Sequence, residues 1–168
     1  APELLPLDNL DAIVLTHAHV DHIAMLPVLF RYGYRGPVYC TPPTRDLMTL
    51  LQMDYIKVSQ AEGDDPPYSK ADIQECIKHV VDIRWGVKTD IAPDVKITLE
   101  NAGHILGSSS VYMQIGEGNS EHRLLFSGDI KYEKSWLFDA ATVRFQKVET
   151  LVIESTYGGA QDFQPNRA

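Results

Sequence analysis

The residues of this chain with the clearest chemical purpose lie close together near its start. Thr16 to His22 reads Thr-His-Ala-His-Val-Asp-His, at the end of an apolar run that begins at Leu10. His17 and His19 are two positions apart, so on an extended backbone they project to the same side. Asp21 and His22 follow where the chain leaves the strand and enters a helix. Neutral imidazoles bind a borderline ion such as zinc, and a carboxylate can span two ions with its two oxygens. Four such donors at one strand end form two pairs able to serve two cations.

Two later positions extend the set. His104 lies in Asn-Ala-Gly-His-Ile-Leu-Gly-Ser-Ser, where Gly103 and Gly107 permit a tight turn. Asp129 lies in Phe-Ser-Gly-Asp, directly after the apolar run Leu124 to Phe126. Each stands at a strand end followed by a turn, where rigid elements can aim a side chain into a shared cleft. The expected arrangement puts one ion on His17, His19 and His104. It puts a second on Asp21 and His22, with Asp129 bridging. Ions so held, ~3.5–4 Å apart, keep a water between them and lower its pKa towards neutrality. Without metal, Asp21 and Asp129 would repel each other at close range.

The elements that must position these residues show in the apolar patterning. Strands are expected at Leu10 to Thr16, Gly36 to Thr41, Val95 to Leu99, Ser110 to Ile115, Arg123 to Ser127 and Thr150 to Glu154. The last two contain continuous apolar runs, which predicts burial on both faces. A helix should follow Asp21 as N-cap, kinking or restarting at Pro27. A second should run from about Thr44 to Ser59, entered through Pro42 and Pro43. A third should start near Ser69, where Ser-Lys-Ala-Asp resembles a capping pattern, and end around His79. Glu62 to Pro67 reads as a loop and Gly116 to Ser120 as a hairpin tip. Helices crowd the first half and strands the second, which predicts a layered α/β architecture with sheet inside and helices outside.

Composition narrows the class. The chain has 168 residues, of which 44% are hydrophobic and 23% charged, as in an ordinary globular domain. No stretch approaches the ~20 consecutive apolar residues of a membrane span. The opening Ala-Pro-Glu-Leu-Leu-Pro lacks the basic and apolar segments of a secretory signal. Cys40 and Cys76 are too few for a disulfide framework or a Cys-rich zinc site, and are expected as free thiols in a reducing cytoplasm. The net charge of −8 argues against a general basic face that grips nucleic acid, although bound divalent ions would restore positive charge locally. His79, His122 and Lys131 are expected at the surface. Arg31, Tyr32, Tyr34 and Arg35 could contact RNA or pack a helix end, and Met48 and Met53 are expected in the core.

The run His-Ala-His-Val-Asp-His, with Gly-His104 and Ser-Gly-Asp129, resembles the metallo-β-lactamase hydrolase fold. The run from Ile153 to Gly159, Ile-Glu-Ser-Thr-Tyr-Gly-Gly, resembles motif A of its β-CASP branch, whose members cut nucleic acids. Together with Gly128-Asp129-Ile130-Lys131-Tyr132, these motifs are most similar to archaeal homologues of the endonuclease subunit of the cleavage and polyadenylation specificity factor. The resemblance implies a metallo-β-lactamase-like αββα sandwich, incomplete at both ends. Residues 1–157 would be its metallo-β-lactamase domain, and residues 158–168 the start of a truncated β-CASP domain. The family's motif B histidine and C-terminal metal-binding histidine would lie beyond it, so this piece is expected to show little activity alone.

The activity implied is hydrolysis of RNA phosphodiester bonds by a dizinc-activated hydroxide, in mRNA 3′-end processing or RNA decay. The enzyme would be a zinc-dependent endoribonuclease that could also act as a 5′–3′ exonuclease. The substrate would be single-stranded RNA, the location cytoplasmic, and the full-length protein would be able to self-associate, with no membrane partner. Asp21 and Glu154 would be catalytic, Glu154 by orienting the motif B histidine that acts as general acid. Two alternatives keep the fold. A small-molecule hydrolase would have no need of Glu154, and a non-catalytic scaffold subunit usually loses ligands that this chain retains.

Overall fold

The structure is a computed structural model that describes residues 7–159. The chain divides into two compact units, Ala1–Arg84 and Trp85–Ala168. The expected start of a second domain at 158–168 falls largely outside the described residues.

In the first unit, β1 (Ile13–Val14), β2 (Val38–Cys40) and β3 (Val80–Asp82) form a parallel sheet in that order. Parallel neighbours need crossover connections, usually helical. Accordingly α1 (Val20–Ile23) and α2 (Leu26–Arg31) join β1 to β2, while α3 (Pro42–Glu62) and α4 (Lys70–Lys78) join β2 to β3. Pro27 falls in the first turn of α2, so the helix restarts there as the sequence implies. Thr41 caps α3, its Oγ1 accepting from the Thr44 amide at 3.4 Å, and Gly63 ends the helix in the left-handed region at φ 84°. Ser69 and Asp72 form a reciprocal capping box at the start of α4.

The apolar faces of these elements bury Leu15, Ala18, Ile23, Leu26, Phe30, Tyr34, Val38, Cys40, Met48 and Cys76 in one cluster. Each large aliphatic or aromatic side chain so buried contributes about 1.5–3 kcal/mol. Both cysteines are free and buried, as expected, and Met48 is core. Tyr34 is also core, which settles it as packing.

The second unit is a five-stranded sheet ordered β4 (Lys88–Ala92), β5 (Val95–Asn101), β6 (Ser109–Ile115), β7 (His122–Phe126), β8 (Thr150–Val152). The first four strands pair antiparallel, and β8 runs parallel to β7 with Phe126 beside Val152. A short 3-10 turn, Gly118–Ser120, closes the β6–β7 hairpin at the expected tip.

Three expectations need correction. Strands β7 and β8 are not buried on both faces, because Phe126, Leu151, Val152 and Ile153 are all exposed. Among the described residues β8 is an edge strand that pairs only with β7, so an apolar run there is left uncovered. Asp21 is not the N-cap of α1. His19, at φ −63° and ψ 148°, is the last extended residue and takes that place, leaving Asp21 in the first turn. Its negative charge still favours the helix dipole there. Strands β3 and β4 were also not expected; one is only three residues long and the other is largely polar.

Candidate functional site

In the first unit, the end of β1 delivers the histidines in extended conformation before α1 begins. The amide of Leu15 donates to the Tyr39 carbonyl at 2.9 Å, so the parallel pairing fixes the chain just ahead of them. His17 is buried, and its Nδ1 shares a 3.1 Å hydrogen bond with the buried Thr16 hydroxyl. With Nδ1–H donating to that oxygen, Nε2 carries the ring's lone pair. Nε2 of His17 stands 3.0 Å from Nδ1 of His19. The His22 ring joins them, its centroid 4.1 Å from that of His17, and Asp21 Oδ2 lies 3.4 Å from His22 Nε2. The structure therefore brings His17, His19 and His22 into one group with Asp21 attached.

A tetrahedral zinc with bonds of ~2.0–2.1 Å separates two imidazole nitrogens by roughly 3.3 Å. The His17–His19 spacing is close to that value. Partly buried imidazoles beside a carboxylate are a donor set that zinc suits, so the residues fit the ion.

In the second unit, His104 sits in the turn between β5 and β6. The Asn101 side chain makes an Asx turn there, accepting from the Gly103 amide at 2.9 Å. Ser108 Oγ accepts from the amides of His104 and Ile105, both at 3.1 Å. Gly103 adopts φ 70°, and a Cβ on it would lie 2.6 Å from the Lys131 carbonyl oxygen. The His104 turn thus packs backbone to backbone against the segment after Asp129, and the Lys131 amide donates to the Ala102 carbonyl at 2.9 Å. The consequence is direct: His104 Nε2 and Asp129 Oδ2 stand 3.4 Å apart.

Glu154 follows β8 and reaches the same segment. Its Oε1 accepts from the Ile130 amide and its Oε2 from the Thr156 amide, each at 3.1 Å. Desolvation raises the Glu154 carboxyl, but bonds from the Thr156 hydroxyl and the Ile130 and Thr156 amides, with the nearby His104, outweigh it and hold the group below its ordinary value. A pocket of about 240 Å³ opens beside it, lined among others by Ile130, Tyr132, Ile153 and Tyr157.

The residues that support the candidate ligands were not singled out from the sequence. Thr16, Asn101, Ser108 and Ser127 are such supports, and only Asn101, two residues before a glycine, carries a recognisable turn signal. Elsewhere, His79 packs against Phe30, and His122 bonds the Thr150 hydroxyl at 2.9 Å. No helix among the described residues is long and apolar enough to cross a membrane.

The family described as a beta-lactamase superfamily domain matches residues 1–164, and the chain belongs to the metallo-β-lactamase superfamily, with its α/β fold. Its relatives are more specific. It is 53% identical over 167 residues to the transcription termination factor FttA of Methanocaldococcus jannaschii, covering 99% of this chain and 26% of that protein. It is 54% identical over 159 residues to FttA of Thermococcus kodakarensis, covering 94% and 24%, and 50% identical over 159 residues to FttA of a Lokiarchaeum species, covering 95% and 25%. The chain spans about a quarter of the length of these relatives.

Proposed function

We propose that this chain supplies the metal ligands of a zinc-dependent ribonuclease that hydrolyses single-stranded RNA. His17, His19 and His104 would hold one ion, Asp21 and His22 a second, and Asp129 both. The observation that carries the reading is the pair of imidazole nitrogens, His17 Nε2 and His19 Nδ1, set 3.0 Å apart with the far side of His17 fixed by Thr16. When bound, two zinc ions supply Lewis acidity to phosphoryl oxygens and lower the pKa of a water.

The chain's own residues hold and orient. His17 and His19 present lone pairs from a rigid strand end. His104 and Asp129 present theirs from turns fixed by Asn101, Ser108 and the Gly103 close approach. In the reaction, the oxygen of water bonds to phosphorus and the P–O3′ bond breaks. A proton passes to the departing O3′, leaving a 5′-phosphate and a 3′-hydroxyl. Tyr132 and Tyr157, both exposed beside Glu154, suit contact with bases.

In this reading residues 1–157 form the metallo-β-lactamase part and 158–168 lead towards a β-CASP part. The relatives' name supports termination of transcripts as a setting; RNA 3′-end processing or decay, in the cytoplasm with the RNA, belongs to the same proposal. The test uses the protein at the length of those relatives. His17→Ala and Asp129→Asn should each reduce cleavage of single-stranded RNA to background, and wild-type products should carry 5′-phosphates. Undiminished cleavage by either folded variant refutes the ligand assignment; a wild-type protein that binds zinc without cutting RNA favours a scaffold role.

A further inference from the structure

Asp129 lies on a short irregular segment after β7, and that segment is tied to the exit of β8 at successive positions. The Ser127 amide donates to the Val152 carbonyl at 2.9 Å. The Glu154 amide donates to Ser127 Oγ at 3.2 Å, and that hydroxyl donates to the Gly128 carbonyl at 2.6 Å. Gly128 turns the chain at φ 56°. Beyond Asp129, the Ile130 amide donates to Glu154 Oε1 at 3.1 Å, from a position 24 residues earlier in the chain. The second carboxylate oxygen is committed to its own turn through the Thr156 amide.

From this geometry we propose that Glu154 is a positioning residue: it bridges two backbone segments and fixes the peptide on the far side of Asp129, holding that carboxylate at His104 for metal binding. The inference rests on the metal-binding reading above and adds to it a function for the motif A carboxylate within this chain. An ionised carboxylate suits the task because both its oxygens accept, and amide bonds to a charged acceptor are roughly twice as strong as neutral ones. A glutamine could accept from only one of the two amides, its NH2 being turned against the other donor. An aspartate keeps the charge but is one methylene shorter, so it cannot span both amides.

The two substitutions separate geometry from charge. In the protein at the length of its relatives, zinc affinity is measured by competition with a chromophoric chelator. Glu154→Gln and Glu154→Asp should each weaken it by roughly ten- to hundredfold, the range for groups that orient metal ligands. Glu133→Gln removes one exposed charge from the same unit and should leave it unchanged. The cobalt-substituted protein should show an altered visible spectrum in both Glu154 variants, a change that mere loss of stability would not produce. Wild-type affinity in Glu154→Asp would show that charge alone matters and overturns the proposal, as does affinity within threefold of wild type in Glu154→Gln. The tie itself is read without metal, by hydrogen exchange at the Ile130 amide, which should quicken at least tenfold in Glu154→Gln. Unchanged exchange also overturns the proposal. A wild-type protein that takes up no zinc instead sinks the functional reading, a failure visible before any variant is made.

Discussion

Gly103→Ala is the most searching single perturbation of the second unit. Gly103 adopts φ 70°, and an added Cβ would meet the Lys131 carbonyl oxygen at 2.6 Å, the Ala141 nitrogen at 2.7 Å and the Asp139 carbonyl oxygen at 3.0 Å. All three are backbone atoms, so no change of side-chain rotamer relieves the overlap. The left-handed backbone costs an alanine ~1–2 kcal/mol, and forcing packed segments apart costs a further ~1–3 kcal/mol. The variant should therefore lose about 2–5 kcal/mol of stability. Gly86→Ala is the internal standard, since Gly86 has φ 74° but open space around it, and only the conformational cost of about 1–2 kcal/mol applies. Urea denaturation followed by circular dichroism, with the slope checked for constancy, reads both values. If Gly103→Ala proves no more costly than Gly86→Ala, the His104 turn does not pack against the Asp129 segment as described.

Two further predictions address the first unit. Thr16→Val deletes the hydroxyl bonded to His17 Nδ1 at nearly constant volume, and should weaken zinc binding by roughly ten- to hundredfold while the fold persists; calorimetric titration with unaltered affinity would contradict that role for Thr16. Burial pushes the Cys40 and Cys76 thiols from the usual 9.0 up to about 12. Their neutral forms are favoured in the folded state, so the stability they contribute is intact below pH 9 and is lost as pH rises towards 12. At pH 8 both should resist a thiol-directed reagent until urea unfolds the chain, and rapid labelling of the native protein would show them accessible.

The histidines and aspartates proposed as metal ligands stood out in the sequence because such residues at a strand end have few structural uses. The helices were legible through their ends: Pro42 and Pro43 with Gly63 bound α3, and Ser69 with Asp72 opens α4. Strand β3 escaped notice because Val80–Asp82 directly follows a helix and takes its order from pairing with β2, which no local pattern announces. Strand β4, Lys-Thr-Asp-Ile-Ala, is half polar, as suits a strand at the edge of the sheet among the described residues. The apolar β8 was misjudged for the opposite reason, since apolar sequence reports a preference for cover and not its presence. What sequence could not show was support: Ser127 and the Gly103 close approach act between segments distant along the chain, where spacing gives no clue.

The parallel pairing of β7 and β8 obliges the chain to travel back along the sheet between them, and it does so without a helix. That return is fastened along its length, the Ala141 amide donating to the Lys131 carbonyl and the Thr142 amide to the Asn101 carbonyl, and between these ties Trp136 and Leu137 stand 88% and 84% exposed. A fluorescent label or a short peptide tag placed at that crest would report on the neighbourhood of Asp129 while disturbing neither strand.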